Sequence, residues 1–245
     1  SSINEMIRRL EQSYISTQNA LVSSRSFASN VAHELRTPLT SMKMNLDLLG
    51  RNLEMDTLQR YEIVSDLLDQ QENLINILES FRLLARGDLS EENIFEEIDF
   101  TQFIRDLAAK YQRQYPESQF HLTSYSEKPL IFAWREGLHV MLSNIIVNSI
   151  THSNKKLEQL VVEISTEISE NRLILTIDDN GIGIPETERT SVLERFRRGS
   201  STSTKGSGLG LALVKQQVEI HNGSIEITSN PSSGARFVIS LPVLI

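Results

Sequence analysis

The sequence predicts an all-α helical hairpin, paired into a four-helix bundle as a dimer, followed by an α+β sandwich. Three observations predict it. Residues 1 to 86 are rich in Leu, Ser, Glu, Arg and Gln and hold one proline, Pro38, and one glycine, Gly50. Their apolar residues recur in steps of three and four, the period of one helix face. Beyond residue 98 short alternating segments, bounded by turn residues, interleave with helical stretches, the pattern of strands carrying helices on one face.

Composition bounds the chemistry. The chain has 245 residues, 39% hydrophobic and 23% charged, the balance of an ordinary globular protein. It contains no cysteine, which excludes disulfides, a thiol nucleophile and Cys-ligated zinc or iron–sulfur sites. Its net charge of −8 repels phosphate backbones and argues against nucleic acid as a partner. No run of about 18 apolar residues occurs, so no segment reads as a membrane span.

In order along the chain, the first apolar stripe is Phe27, Val31, Leu35, Met42, Leu46, Leu49 and Leu53, with Pro38 in its gap. A polar turn, Glu54 to Leu58, leads to the second stripe: Leu67, Gln71, Leu74, Leu78, Phe81 and Ala85. Two long helices with a short connection form a hairpin, and one hairpin has too little to bury alone. The alternative is a solvated helix pair with no chemistry. Gly87 to Ile98 is acidic and breaks the period, so it reads as a linker. Phe103 to Tyr115, Leu138 to His152 and Leu209 to His221 read as helices, the last stopped by Asn222-Gly223. Phe120 to Thr123, Ile131 to Phe132, Leu160 to Thr166, Arg172 to Asp178, Ser224 to Thr228 and Ala235 to Leu241 read as strands. Glu170-Asn171 and Asn230-Pro231 are the turns between neighbouring pairs.

Four constellations carry chemistry. The first is His33-Glu34-Leu35-Arg36-Thr37-Pro38 on the first helix. His33 is two residues from Val31 and from Leu35, roughly 200° away from each around the helix, and so points out of the buried stripe. A neutral imidazole is a competent nucleophile near pH 7. Thr37 follows one turn later on the same face. An interior proline costs about 3 kcal/mol in a helix, so Pro38 requires a reason. The second is Asn144 and Asn148, two amides on one face of a largely apolar helix and able to meet Mg²⁺ or its waters. The third is Asp178-Asp179-Asn180-Gly181-Ile182-Gly183-Ile184-Pro185 after a strand, where Asp179 can accept a hydrogen bond from an exocyclic amine. The fourth is Gly206-Ser207-Gly208-Leu209-Gly210-Leu211, opening a helix whose N-terminal N–H groups attract phosphate. It follows no strand and lacks the Gly-Lys-Ser/Thr ending, so it is neither a dinucleotide fingerprint nor a P-loop.

In this order the motifs resemble those of the sensor histidine kinases of bacterial two-component signalling. Residues 26–40 (SFASNVAHELRTPLT) resemble the H box, 143–153 (SNIIVNSITHS) the N box, 178–185 (DDNGIGIP) the G1 box, 193–200 (LERFRRGS) the F box and 206–213 (GSGLGLAL) the G2 box. The resemblance implies a helix over 1–26 continuing from a membrane-proximal coiled coil, a dimerisation and phosphotransfer domain over 27–86 and a linker over 87–98. It implies an ATP-binding domain of the Bergerat (GHKL) fold over 99–245. The chain is then expected to be the cytoplasmic portion of a bacterial membrane receptor, reaching the membrane only through a preceding part. It would act as a homodimer with ATP and Mg²⁺ and hand phosphate to a response regulator. His33 would be the phosphoacceptor, Glu34 its general base or orienting acid, and Thr37 the residue that orients water for dephosphorylating the regulator. Asn148 would bind Mg²⁺ with Asn144 in support, and Asp179 would read the adenine amine, with Gly181 and Gly183 shaping its pocket. Gly206, Gly208, Leu209 and Gly210 would line the phosphate side, His152 would stack on adenine, and Arg198 would meet the γ-phosphate from a mobile lid over 186–205.

Two departures bear on affinity. The N box ends Asn148-Ser149-Ile150-Thr151-His152, where the family pattern runs Asn-Ala-x-Lys-Tyr/Phe, so one phosphate-binding lysine is replaced; Lys155 or Lys156 is expected to stand in for it. Leu193 takes the place of an F-box phenylalanine, and Phe196 keeps the second. These departures motivate the alternative of a degenerate kinase acting as phosphatase or dimeric scaffold. A further alternative is an ATPase of the chaperone, topoisomerase or mismatch-repair kind, against which the exposed His33 argues. The other histidines read as structural, with His221 a cation at a helix end.

Overall fold

The computed structural model describes residues 2–51, 55–85, 94–124, 129–197, 208–230 and 233–244. The chain divides into two compact units, Ser1–Phe81 and Arg82–Ile245. The first is built from α1 (Ser2–Arg51) and most of α2 (Thr57–Ala85). Helix α1 runs through Pro38, whose ring is buried. Asp56 caps α2, its carboxylate accepting from the Gln59 amide at 2.8 Å, so the helix starts inside the segment read as a turn.

On α2 the sheltered face is Ile63, Leu67, Gln70, Leu74, Ile77, Phe81 and Leu84, in alternating steps of four and three. The stripe expected from sequence ran through Gln71 and Leu78, both exposed. The correction has a simple cause: α2 carries two neighbouring apolar seams, and the sequence reading crossed from one to the other. The second seam, Tyr61, Val64, Leu68, Ile75 and Leu78, is exposed. On α1, Val31, Leu35, Met42 and Leu49 are half-buried as expected, whereas Leu46 is exposed. The Phe27 side chain and Leu53 lie outside the described residues.

The second unit starts with β1 (Phe95–Asp99), α3 (Phe100–Gln114), β2 (Gln119–Ser124), β3 (Leu130–Trp134) and α4 (Arg135–His152). It continues with β4 (Val161–Ser169), β5 (Arg172–Asp179), α5 (Gly210–Ile220), β6 (Ser224–Ser229) and β7 (Ala235–Pro242). The main sheet is mixed, in the order β2-β4-β5-β7-β6, with β2 parallel to β4 and every other pair antiparallel. The β4–β5 turn puts both Glu170 (φ 48°) and Asn171 (φ 63°) in the left-handed region, as a tight hairpin requires. Alternate residues of β4, β5 and β7 face inward, among them Ile164, Leu175, Ile177, Phe237 and Ile239. They pack on Ile104, Leu138, Met141, Ile145 and Val214 from α3, α4 and α5.

The linker expected through Ile98 is corrected at its end. Phe95–Asp99 is a strand that pairs with β3, Ile98 opposite Ile131, and Ile98 is buried. An acidic run hides such a strand because only one side chain in it must be buried, and its partner lies some thirty residues away. Asp99 ends the strand and caps α3, accepting from the Gln102 amide at 3.0 Å. Residues 86–93, the rest of that expected linker, lie outside the described residues.

Candidate functional site

Asp179, the last residue of β5, is buried. Its Oδ1 accepts from the backbone amides of Gly181 at 2.9 Å and Ala235 at 3.1 Å. Its Oδ2 accepts from the Ser149 hydroxyl at 3.1 Å. The backbone carbonyl accepts from the Asn230 side-chain amide at 2.9 Å. Asp178 points to the other face of the strand and forms a two-pronged ion pair with Arg236, both contacts at 2.7 Å. That hydrogen bonding pushes the Arg236 guanidinium further above its ordinary value.

Two glycines fit this corner because nothing larger would. A Cβ on Gly234 (φ 104°) would fall 2.0 Å from the Asp179 carbonyl oxygen, and one on Gly181 would meet the Ser153 backbone at 2.7 Å. Gly183, at φ 74°, lies against the Gly234 carbonyl.

Nearer the middle of α4, Asn144 meets α5. A Cβ on Gly210 would lie 2.8 Å from Oδ1 of Asn144, whose amide nitrogen donates to the Val140 carbonyl at 2.8 Å. Leu209, fully buried, precedes Gly210 and itself gives α5 no side-chain cap, and N–H groups in a helix first turn suit an anion. Gly208 (φ 66°) accepts from the Phe196 amide at 2.9 Å, tying the F-box segment to the start of α5. Asn148 is half-buried one turn beyond Asn144. Asn144, at mid-helix, and Ser149 are separated by about 7.5 Å of helix rise, so α4 presents an amide beside α5 and, a turn and a half further on, a hydroxyl bound to the Asp179 carboxylate. Gly206 and Arg198 lie outside the described residues, as does the 198–205 part of the lid expected over 186–205.

His152 ends α4 half-buried, and burial pushes its imidazole below the usual range. Lys155 and Lys156 are exposed just beyond Ser153, past the C-terminal end of α4 near Gly181 rather than beside Asn144 and Gly210. Among the described residues no three His, Asp or Glu side chains gather to hold a metal. A cation held by the amide oxygens of Asn148 and Asn144 together with phosphate and water would have a hard oxygen set, suited to Mg²⁺.

On α1, His33 is exposed and Glu34 half-buried. The Thr37 hydroxyl donates to the His33 carbonyl at 3.4 Å. The reading of His221 as a helix-end cation is corrected. It is buried, its Nε2 accepts from the Trp134 amide at 3.0 Å, and its Nδ1 then donates to the Gln217 carbonyl at 2.6 Å. Burial pushes its imidazole down, so it works as a neutral strut between the end of β3 and α5. Sequence reasoning also passed over Ser149, Asn230 and Gly234. The first stood as a departure from a pattern, the second as a turn residue, and the third carried no signal beyond being a glycine before a strand.

Residues 23–90 match the His Kinase A (phospho-acceptor) domain family. Residues 135–245 match the family described as histidine kinase-, DNA gyrase B- and HSP90-like ATPase. The crystal structure of the ATP-binding domain of PrrB from Mycobacterium tuberculosis is 32% identical, with a TM-score of 0.52, over 62% of this chain and 98% of that one. The chain belongs to the sensor histidine kinases. It is 38% identical over 237 residues to the sensor-type histidine kinase PrrB of Mycobacterium tuberculosis H37Rv, covering 97% of this chain and 52% of that protein. It therefore spans about half the length of the curated relatives it matches. The histidine kinase ThkA in complex with the response regulator protein TrrA shares the fold, with a TM-score of 0.68 at 19% identity over 89% of this chain and 61% of that one.

Proposed function

We propose that this kinase binds ATP between β5, α4 and α5, transfers the γ-phosphoryl group to His33, and passes it to an aspartate of a response regulator. The observation that carries the reading is on α4: Ser149, near its C-terminal end, binds the buried Asp179 carboxylate, and Asn144, at mid-helix, lies against Gly210 at the start of α5. Asp179 accepts from the exocyclic amine of adenine, with Gly181 and Gly183 keeping the backbone close. First-turn N–H groups of α5, with Gly206, Gly208, Leu209 and Gly210, cradle the phosphates. His152 lies at the adenine end and stacks on the base. Asn148, supported by Asn144, would hold Mg²⁺, which when bound neutralises charge on the phosphates. Arg198 meets the γ-phosphate as charge develops.

At His33 the Nε2 lone pair attacks the γ-phosphorus while the bond to the β–γ bridging oxygen breaks and ADP leaves. Glu34 holds and then takes the Nδ1 proton, so the phosphorylated ring ends neutral. Thr37 orients water when the aspartyl phosphate of the regulator is hydrolysed. The response-regulator reading draws support from the structure of ThkA in complex with the response regulator protein TrrA. The exposed second seam of α2 supports a homodimer. We assign the chain to the cytoplasmic side of a membrane receptor.

The test is incubation with Mg²⁺ and γ-labelled ATP beside His33→Gln. Acid-labile, base-stable label on the wild type and none on the variant is the expected result. Equal labelling of both removes His33 as acceptor.

A further inference from the structure

We propose that Ser149 is a positioning residue that sets the preference of the site for a purine bearing a 6-amino group; this rests on Asp179 as the group that reads the base. Ser149 is 2% and Asp179 5% exposed, so neither leans on bulk water for its hydrogen bonds. The Ser149 hydroxyl has two acceptors in reach, the Ile145 carbonyl at 3.2 Å and Asp179 Oδ2 at 3.1 Å. It has one hydrogen to give. A serine inside a helix commonly bonds back to the carbonyl four residues earlier. Here that carbonyl already takes the Ser149 backbone amide in the helix ladder, and an ionised carboxylate is the stronger acceptor. The hydrogen therefore goes to Asp179.

This changes what Asp179 presents. Two backbone amides occupy Oδ1. A carboxylate oxygen takes about two hydrogen bonds, so Oδ2, on which Ser149 is the one donor among the described residues, keeps one open acceptor position. Donors on both oxygens fix the plane of the group and aim that position. A ligand group there must donate: an amine is accepted, and a ring carbonyl would set acceptor against acceptor. Without the hydroxyl, Oδ2 has two open positions and no lateral anchor, so the amine loses its preformed partner.

The experiment uses the whole chain with Mg²⁺ and measures Kd calorimetrically for ATP and for purine riboside 5′-triphosphate, which lacks the 6-amino group. Wild type, Ser149→Ala and Asp179→Asn are compared. Alanine is smaller and the best helix former, so the Ser149 variant keeps α4 intact. The expected result is a roughly 10-fold loss of ATP affinity in Ser149→Ala with less than about a 2-fold change for the analogue, shrinking the preference. A packing role alone would weaken both nucleotides equally. An unchanged ratio in Ser149→Ala, with preference lost in Asp179→Asn, overturns the role of Ser149 and leaves the base-reading site standing. No preference in the wild type overturns both.

Discussion

Asp179 shows how a single side chain is prepared by groups distant in sequence. Its carboxylate takes donors from the G1 loop, from α4 and from the first residue of β7, while Asn230 holds its backbone. In Asp179→Asn the amide oxygen must stay on the two backbone donors, so the new NH₂ faces the adenine amine, donor against donor. We expect ATP affinity to fall by at least about 100-fold, because a site built to pair a polar group rejects the mismatch strongly. Equilibrium dialysis measures it, and an affinity within about 3-fold of wild type removes Asp179 from base recognition. The two acidic residues of this motif divide their work by strand alternation, Asp179 facing inward and Asp178 pairing outward with Arg236.

At the scale of elements, α2 carries a seam that is sheltered and a neighbouring seam that is exposed. Leu68 (60% exposed) and Ile75 (51%) are seven residues apart on the exposed seam, the spacing that a helix uses to face another helix throughout its length. In the proposed homodimer they are covered by the second copy. Leu68→Glu with Ile75→Glu should then convert the protein to monomer, read as a halved mass by light scattering. A mass unchanged from wild type places the dimer contact elsewhere. The period of α2 was legible in sequence, but not which of two adjacent seams is sheltered, because both satisfy the same arithmetic.

Across the whole molecule, burial pushes His139, His152 and His221 below the ordinary imidazole range, with Lys110 adding to the effect at His139. In the unfolded chain these rings titrate near about 6.5. A depressed folded value means that the folded state binds fewer protons. The stability they contribute is present above about pH 6.5 and is lost as pH falls from there toward the folded values. We expect the melting temperature to drop by roughly 5 °C between about pH 7.5 and pH 5.5. In His221→Gln the drop should be smaller, although the variant starts lower because Trp134 and Gln217 lose their strut. An equal drop in the variant shows that His221 is not a source of the pH dependence.

Sequence by itself determined what local chemistry determines. Period fixed the helical and strand segments, the spacing from Val31 and Leu35 turned His33 outward, and the glycine and asparagine motifs carried the family resemblance. Tertiary structure decided what depends on chain segments meeting. It paired β1 with β3 out of an acidic stretch, made the sheet mixed by laying β2 parallel to β4, and buried His221 as a neutral link. It also joined Ser149, Ala235 and Asn230 to one aspartate. Hydrogen bonds to a buried carboxylate are set by three-dimensional proximity, and residues thirty and fifty-six positions from or to Asp179 carry no mark of that proximity in their order along the chain.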